Sequence, residues 1–487
     1  MANTWSGQRL PTPEGRRPVF GHVFQLDRRA VVQSILRLTE GLGPLVEIDI
    51  LGQRFVFVTG AELAREFNDE TRFRKSLPPG ILALRSFAGD GLFTAYSDEP
   101  NWQLAHDLLA PAFTKAAMQS YHPVMLGAAS ELIDKWDRAP GPVDVTADMT
   151  RLTLETIGRT SFGQDFGSFE RDEQHPMVGA MLAALTTGQR MAGTTALPGV
   201  GRLLRRRLER KVADQIGYAE RFVDDVIARR RAAGDAHRHD LLGIMLDDAH
   251  PETGERLSDV NIRYQVLTFL VAGHETTSGA LSFALYYLSR NPEVLRKAQA
   301  ETDAILGSDP DAEPTYDQVA RFRYLRKVLD EALRLWPTAP GYGRGPRETT
   351  VLSTGHTMTP EDTAIMMLPA VHRDPEVWGP TADQFDPERP RPKLGGASNR
   401  PFGTGERACI GRQFALHEAV LVLARLLHRY DLAGDPSYRL KVSERLTLVP
   451  KGFELTVTRR TPGAAEAPIE AEDEAPAVCP FTGQPAS

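Results

Sequence analysis

One cysteine stands where a glycine-rich loop meets a predicted helix. The loop reads Pro401-Phe402-Gly403-Thr404-Gly405-Glu406-Arg407-Ala408-Cys409-Ile410-Gly411. Its glycines allow tight turns, and apolar residues recur with a helical period from Arg412 onward. Free backbone amides and the helix dipole at such a junction stabilise a thiolate. Cys409 is therefore a candidate ligand for a soft metal centre such as haem iron, whereas an isolated cysteine would be a buried structural thiol.

A second cluster of reactive side chains lies in the middle of a long apolar segment. Ser258-Asp259 is a candidate helix cap and Asn291-Pro292 a stop, which predicts a helix from about Val260 to Ser289. Its centre reads Ala272-Gly273-His274-Glu275-Thr276. Burying these polar groups costs free energy unless they are hydrogen-bonded or used. A polar face toward water is the alternative, and the apolar residues on all sides argue against it.

Two further pairs have helical spacing. Trp102 and His106 are four residues apart, and Glu331 and Arg334 are three apart, so each pair shares one face of a predicted helix. Alone, the first pair would be core packing and the second a surface ion pair of small energetic weight.

Together these motifs resemble those of the cytochrome P-450 monooxygenases. Phe402, Gly405, Arg407, Cys409 and Gly411 fill every position of the haem-thiolate loop, Phe-x-x-Gly-x-Arg-x-Cys-x-Gly. The resemblance implies a mainly α fold with small β-sheets, in which an α-rich domain adjoins a smaller β-rich N-terminal region. It also implies non-covalent haem b (iron protoporphyrin IX), with the Cys409 thiolate as the axial iron ligand.

The family pattern implies roles for the other candidates. Thr276 would support oxygen activation by hydrogen bonding, and Glu275 would belong to the acid–alcohol pair that relays protons. Ala272 and Gly273 would leave room for dioxygen. The other implied cofactor-binding residues are Arg407, Trp102 and His106 at the haem propionates, with Phe402 and Gly403 in the loop.

The acidic–basic pair also has a counterpart in the family. Glu331 and Arg334 match its Glu-x-x-Arg motif, which joins an arginine of a later Pro-Glu-Arg segment, here Arg389. That network would be structural and would hold the loop leading to the thiolate. Pro390 stands where the family usually has an aromatic residue, so the pattern does not define the chain just after Arg389.

The resemblance runs from about Gly41 to Arg460 and is closest to one branch, the haem domain of bacterial self-sufficient fatty-acid hydroxylases. In that branch a diflavin reductase is fused C-terminally. Phe87–Thr94 and Asp148–Leu154 carry the closer likeness, and Phe93 would restrict how a chain end approaches the iron. The other implied substrate-pocket residues are Ala88, Ile81, Ala272, Ala339, Leu446, Gln53 and Phe57.

The implied reaction inserts one oxygen atom from O2 into an unactivated C–H bond of a lipophilic substrate. In this branch the substrate would be a medium- or long-chain fatty acid or derivative, hydroxylated at a subterminal carbon. Electrons would come from NAD(P)H through a flavodoxin, a ferredoxin or a diflavin reductase, docking near Arg400, Arg407 and Arg412. The reductase would be either a separate protein or the rest of a longer chain.

Other functions share parts of this pattern. A tailoring hydroxylase or epoxidase of a secondary metabolite would use the same chemistry with another pocket, and it stays open. A non-catalytic haem sensor or electron carrier would need neither an oxygen pocket nor a proton relay, so the motif at Ala272–Thr276 argues against it. A peroxide-driven hydroxylase is disfavoured because the acid–alcohol pair is present.

The first predicted hairpin departs from the branch where a substrate carboxylate would bind. Gln53 and Phe57 stand where an Arg and a Tyr are expected, which removes a charge and a hydroxyl. Free fatty acids should therefore bind more loosely than in typical members, or anchor elsewhere, for example at Arg202–Arg210. The alternative for that basic segment is a solvated helix face.

The composition of the chain excludes some other classes of protein. The formal net charge is −7, of which residues 463–487 contribute five acids and no Lys or Arg. The rest of the chain is therefore nearly neutral, so there is no overall basic field that would attract nucleic acid. Two cysteines, Cys409 and Cys479, exclude a disulfide framework. Without a signal or anchor segment, a soluble cytoplasmic protein is expected.

The sequence also predicts how the chain is divided into segments. Residues 1–40 would form an extended N-terminal segment, 41–462 a single haem-thiolate domain and 463–487 a disordered acidic Pro/Ala tail. Strands at Val46–Ile50 and Phe55–Val58 would form a hairpin, followed by mostly helical sequence to about residue 340. Leu446–Val449 and Phe453–Val457 would form a second hairpin.

Overall fold

The computed structural model describes residues 9–192, 200–234, 240–390, 392 and 399–463, so the expected tail beyond residue 463 and Cys479 lie outside it. Helices predominate, and the predicted mainly α architecture is confirmed. In chain order the helices are α1 (Val31–Thr39), α2 (Ala61–Phe67), α3 (Pro79–Ala88), α4 (Pro100–Leu109), α5 (Lys115–Asp137), α6 (Val145–Phe162), α7 (Pro176–Ala192), α8 (Val200–Ala232), α9 (Leu241–Asp247), α10 (Asp259–Arg290), α11 (Pro292–Leu306), α12 (Tyr316–Val319), α13 (Arg323–Leu335), α14 (Leu368–Val371), α15 (Pro375–Trp378) and α16 (Arg412–Arg429).

Short strands form small sheets beside these helices. The strands are β1 (Leu45–Ile50), β2 (Gln53–Val58), β3 (Phe73–Ser76), β4 (Val143–Asp144), β5 (Gly341–Pro346), β6 (Thr350–Val351), β7 (Thr357–Met358), β8 (Ala364–Met367), β9 (Tyr430–Gly434), β10 (Val442–Glu444), β11 (Leu448–Pro450) and β12 (Glu454–Arg459). The largest sheet has the order β1-β2-β8-β5-β3, and the others are β4-β12-β9, β10-β11 and β6-β7. Most of the largest sheet comes from distant parts of the chain, and only β2 and β8 run parallel.

The first predicted hairpin is confirmed, and the second is wrong. β1 and β2 pair antiparallel around Leu51 and Gly52, which both have positive φ (55° and 82°), as a tight hairpin turn requires. In contrast, β11 pairs with β10, while β12 pairs with β9 and β4. The reason is that β12 is the central strand of its sheet, with β4 on one edge and β9 on the other, so no edge of β12 is left for β11. Apolar alternation identified the strands but not their partners.

The long helix α10 crosses the main core, close to its predicted bounds. The Ser258 hydroxyl accepts a hydrogen bond from the Asn261 N–H at 3.2 Å and caps its N-terminus. Asn291 and Pro292 end it, since proline cannot continue the hydrogen-bond ladder. Apolar residues surround nearly the whole of α10, and its neighbour α6 is buried along almost its full length. At the centre of α10, His274 and Glu275 are buried, whereas Ala272, Gly273 and Thr276 are partly or fully accessible.

The N-terminal part of the chain packs onto the first hairpin. The His22 side chain is fully buried, and its ring contacts the backbone carbonyls of Asp49 and Pro13 at 3.2 and 3.0 Å. Gly21 forms a β-bridge to Ile50. Residues 9–40 thus close one side of the β-rich region. No helix in the described ranges is long and apolar enough to cross a membrane.

A buried acid on α16 has no part in the predicted site. Glu418 is 1% exposed, and neither of its carboxyl oxygens has a hydrogen-bond partner within ordinary geometry. The neighbouring Thr156 of α6 acts to lower its pKa, but its hydroxyl also donates to the Leu152 carbonyl at 3.0 Å, and burial is the larger effect. Burial raises the pKa of Glu418 to about 8. The folded protein therefore keeps this carboxyl protonated at neutral pH.

The stability of the fold should consequently depend on pH through Glu418. Its pKa rises from an ordinary 4.5 to about 8 on folding, so the folded state holds the extra proton between these values and stability falls as the pH rises through that window. Glu418→Gln, a neutral mimic, should raise the free energy of unfolding at about pH 9 by a few kcal/mol and change it little at about pH 5. Denaturant unfolding at both pH values measures this. The exposed Glu293→Gln on α11 is the control, and equal effects of Glu418→Gln at both pH values would contradict the assignment.

Candidate haem-thiolate site

The cysteine loop is held in one conformation by its own backbone. The Cys409 N–H donates to the Phe402 carbonyl at 2.8 Å. Gly403 and Gly405 have φ of +71° and +67°, which side chains other than glycine rarely adopt. Gly411 is the N-cap of α16, so Cys409 lies just before the helix, as predicted from the sequence.

The Cys409 thiol is the free cysteine of the described residues. Part of its surface is accessible, yet the side chain is surrounded by protein, and this burial raises its pKa. The Gly411 N–H and the positive charge of Arg412 act in the opposite direction. A thiol in this position becomes a thiolate when a metal ion coordinates it.

A buried ionic network supports the chain leading to this loop. Arg334 is completely buried and forms two hydrogen bonds of 2.7 Å to the Glu331 carboxylate. Arg389 lies 3.4 Å from the same carboxylate. The His372 carbonyl accepts from Arg334 at 2.9 Å, and its ring accepts from the Arg400 N–H at 3.0 Å. The three residues expected to form one network are therefore in contact, and His372 links them to the start of the loop.

Glu70 holds the loop from the other side and was missed in the sequence. Its carboxylate accepts from the Glu406 N–H at 3.2 Å. A Cβ on Gly405 would come within 1.9 Å of the Glu70 carboxylate, so a larger residue there would displace this contact in addition to straining the backbone at φ +67°. The signal was absent from the sequence because Glu70 is an ordinary acid more than 330 residues away.

The proposed propionate-binding residues also lie together. Trp102 and His106 are stacked on α4 with ring centroids 5.3 Å apart. The Arg407 guanidinium lies 4.4 Å from the Trp102 ring centroid and donates to the carbonyls of Leu92 and Ala95 at 2.9 and 3.0 Å. Arg407 therefore points inward. Its expected contribution to an electron-donor surface with Arg400 and Arg412 is wrong, because its guanidinium lies over the Trp102 ring in the interior.

Two further cations, missed in the sequence, surround Arg407. Strand pairing places Lys75 of β3 opposite Arg344 of β5. Burial, followed by the charges of Arg407 and Arg344, lowers the pKa of Lys75 well below its ordinary value. Burial likewise lowers the pKa of Arg407 to about 10. Only tertiary pairing brings these residues together, so no local pattern could have identified them.

The charge of this cluster suits the propionates of a haem group. Buried cations that repel one another favour a bound anion, and the nearest acid to Arg344, Glu70, lies 3.8 Å away. Haem carries two propionates, which these cations would bind, and its iron accepts a thiolate, which Cys409 would supply. The cationic cluster and the thiol thus fit an iron porphyrin.

The middle of α10 places its reactive residues on different faces. Ala272 and Thr276 line a cavity, and the Thr276 hydroxyl donates to the Ala272 carbonyl at 2.7 Å. Gly273 faces α6 instead, where a Cβ would come within 2.8 Å of Ile157 Cγ1. The missing side chain of Gly273 thus allows close packing against α6, and its expected role beside dioxygen stays a prediction.

Glu275 points away from Thr276. Its carboxylate is 2% exposed and accepts a hydrogen bond from the Thr447 hydroxyl at 2.9 Å. The Arg445 guanidinium lies 3.4 Å from its other oxygen. Adjacent residues project about 100° apart on a helix, which explains why the acid and the alcohol do not contact each other. Arg445 itself lines the cavity, so it lies between the cavity and the buried acid.

The cavity has a volume of ≈ 1070 Å³ and a mostly apolar wall. It is large enough for a lipid-sized ligand. Every residue that the sequence assigned to the substrate pocket lines it, namely Phe93, Ala88, Ile81, Ala272, Ala339, Leu446, Gln53 and Phe57.

Charged residues gather on part of this wall. Arg28, Arg29, Arg445 and Lys451 line the cavity together with a single acid among the described residues, Glu444. The basic segment of α8 contributes differently from the expectation. Its apolar residues Leu204 and Leu208 line the cavity, since positions four apart share a helix face. Arg202, Arg206 and Arg207 are exposed and absent from the lining.

Comparison with known proteins agrees with this site. The family model described as cytochrome P450, here written P-450, matches residues 11–457. A bifunctional cytochrome P-450/NADPH–P-450 reductase of Bacillus cereus is 42% identical over 456 residues, covering 93% of this chain and 42% of that protein.

Relatives of the same kind occur in other organisms. The bifunctional cytochrome P-450/NADPH–P-450 reductase 1 of Bacillus subtilis is 42% identical, and the match covers 96% of this chain and 44% of that protein. A self-sufficient cytochrome P-450 monooxygenase of Phanerodontia chrysosporium is 40% identical over 91% of the chain and 42% of its own length. The chain thus spans less than half the length of these relatives, which include bacterial and fungal proteins. With its cysteine loop, its cationic cluster and the match over nearly its whole length, the chain belongs to the cytochrome P-450 family of haem-thiolate proteins.

Proposed function

We propose that this protein is a monooxygenase that inserts one atom of O2 into an unactivated C–H bond of a medium- or long-chain fatty acid or derivative. The observation that carries the proposal is the apolar cavity of ≈ 1070 Å³, which has Ala272 and Thr276 in its wall and a cationic region elsewhere on it. Such a cavity suits a long apolar ligand with an anionic or polar end. The names of the bifunctional and self-sufficient relatives support the reaction class.

Each proposed role follows from a contact. When bound, haem supplies the iron that activates dioxygen, and thiolate ligation favours cleavage of the O–O bond. Cys409 would provide that thiolate, while Lys75, Arg407 and Trp102 would hold the propionates. Phe93 lines the cavity, and its ring centroid lies 5.5 Å from the Lys75 ammonium. It would limit how the substrate approaches the iron.

Proton delivery would involve a movement of Glu275. In the present conformation its carboxylate is bound to Thr447 and lies beside Arg445, whereas Thr276 faces the cavity. Rotation of the Glu275 side chain toward Thr276 would connect the acid with the alcohol. The Thr276 hydroxyl, which now donates to Ala272, would then turn toward the reaction centre.

The alternatives differ in how they use this architecture. A tailoring enzyme for a secondary metabolite would use the same loop and α10, and the cationic part of the cavity wall favours a ligand with an acidic group over a neutral polycycle. An electron carrier or a sensor has no use for so large a lined cavity. We therefore place the fatty-acid oxygenase first.

Electrons would arrive from a reductase or a small redox protein that binds near the cysteine loop. Arg412 is exposed at the start of α16, and Arg400 is half-buried on the chain that leads to the loop. We propose a cytoplasmic setting, with residues 41–462 as the haem domain. NADPH-linked reductases are named in the bifunctional relatives, and such a reductase is the proposed donor.

The function is tested with haem-loaded protein, an NADPH-dependent diflavin reductase and a series of saturated fatty acids. We expect a hydroxylated product that contains one oxygen atom from ¹⁸O-labelled O2, measured by mass spectrometry. Cys409→His should abolish both this product and the strongly red-shifted Soret band of the ferrous–CO form, because imidazole is a weaker electron donor than thiolate. Retention of that band in Cys409→His would show that another residue is the ligand.

Thr276→Ala should retain haem yet divert electrons from product to hydrogen peroxide. The cavity wall would lose the hydroxyl that positions a proton, while its shape would change little. Product and peroxide formed per NADPH consumed measure the effect, and we expect a several-fold loss of coupling. Thr276→Ser keeps the hydroxyl and is the matched control. Equal coupling in wild type and Thr276→Ala would remove Thr276 from the proton path.

Association with the electron donor should weaken as ionic strength rises. Charges on exposed surfaces are screened over ~10 Å at 0.1 M salt, and Arg412 is such a charge next to the loop. Stopped-flow reduction rates at several salt concentrations measure this. Arg412→Gln should lower the rate and flatten its salt dependence, whereas Arg439→Gln, an exposed arginine between β9 and β10, should not. The docking proposal is wrong if the wild-type rate does not change with salt.

A further inference from the structure

We propose that Arg28 and Arg29 form the binding site for the carboxylate of a long-chain acid. This inference rests on the proposed function and adds where the acidic end of the substrate binds. Both residues are exposed, and both line the same cavity as Ala272 and Thr276. The site therefore joins a pair of guanidinium groups at the surface with an apolar interior.

The backbone fixes where these two arginines stand. Asp27 to Ala30 form a β-turn, closed by a 3.0 Å hydrogen bond from the Ala30 N–H to the Asp27 carbonyl. The Asp27 carboxylate accepts from the Arg29 N–H at 2.8 Å, and the Asp27 N–H donates to the Ser34 hydroxyl of α1 at 3.0 Å. Arg28 and Arg29 thus occupy the two central positions of a turn that is tied to a helix.

The two guanidinium groups retain their binding capacity. Within the described part of the chain, no hydrogen bond or ion pair occupies either of them, while the neighbouring Arg16 is paired with Asp49 at 2.6 Å. A guanidinium group presents a fork of donors that matches the two oxygens of a carboxylate. Two adjacent forks at a cavity wall suit one carboxylate, which would neutralise part of their mutual repulsion.

The acid on the cavity wall does not compete for them. The Glu444 carboxylate accepts from the backbone N–H groups of Val32 and Gln33 at 2.7 and 2.9 Å, and from the Gln33 side chain at 2.9 Å. Its charge is thereby stabilised at the N-terminus of α1. Its oxygens are occupied by these donors, and within the described residues it forms no ion pair with Arg28 or Arg29.

The other cations of the wall are less suitable. Arg445 lies 3.4 Å from Glu275 and is committed to that buried acid. Lys451 offers a single ammonium group rather than a planar fork. In the first hairpin, Gln53 carries no charge and Phe57 no hydroxyl. On α8, Leu204 and Leu208 line the cavity, whereas Arg202, Arg206 and Arg207 do not. Arg28 and Arg29 are thus the best placed for a carboxylate.

The experiment compares a long-chain acid with the alcohol of the same length. Dissociation constants are measured on haem-loaded protein by calorimetry and by the spin-state change of the Soret band. Arg28→Ala with Arg29→Ala should weaken acid binding about five- to tenfold, as for two exposed charge pairs, and leave alcohol binding unchanged. The salt dependence of acid binding should also fall. Arg206→Ala with Arg207→Ala on α8 is the matched control and should behave like wild type.

A charge-retaining pair separates electrostatics from local structure. Arg28→Lys with Arg29→Lys keeps both positive charges but removes the planar forks, so it should recover only part of the acid affinity that the alanine pair loses. The inference is overturned if the alanine pair leaves acid binding unchanged, or if it weakens acid and alcohol equally, which would indicate altered packing of the turn. If wild type hydroxylates long-chain acids while the alanine pair has no selective effect, only this inference fails. If wild type neither binds nor oxidises the acid or the alcohol, the proposed function fails as well.

Discussion

The position of Cys409 depends on holding an irregular loop rigidly, and that requirement organises much of the structure. A loop without regular hydrogen bonding needs partners for its backbone groups. On one side they come from the buried network of Glu331 and Arg334, which reaches the loop through the His372 ring and the Arg400 N–H. On the other side they come from Glu70. An uncompensated buried charge is costly, so the buried Arg334 depends on Glu331 and on the carbonyls of His372 and Ala382, which accept from it.

The second constraint is that α10 must be both a packed core helix and the wall of a cavity. Gly273 allows α10 to lie close to Ile157 of α6, while Ala272 and Thr276 face the cavity. Glu275 takes a third direction, toward Thr447 and Arg445. Neighbouring residues of a helix point in different directions. Residues close together in the chain can therefore pack against α6, line the cavity and keep a carboxyl group buried.

Electrostatics divides the site into regions of different character. Lys75, Arg344 and Arg407 form a buried cationic cluster, and burial lowers the pKa of Lys75 and Arg407. Arg28 and Arg29 form a separate, exposed cationic region on the cavity wall. An apolar wall lies between two kinds of anion site, which suits a bound dianionic cofactor and a ligand with one acidic end.

The features that the sequence alone predicted are defined by residues near one another in the chain. They are the cysteine loop, the bounds of α10, the first hairpin and the helical pairs Trp102–His106 and Glu331–Arg334. Each depends on residues close together in the chain: glycines in the loop, capping residues at the ends of α10, and helical or strand periodicity in the pairs and the hairpin. The sequence did not determine the partners of β11 and β12, the direction of Gly273 or the inward turn of Arg407. Nor did it reveal Glu70 beside Gly405 or Lys75 opposite Arg344. Those contacts join residues far apart in the chain, and only competition for space and hydrogen bonds in the folded protein decides them.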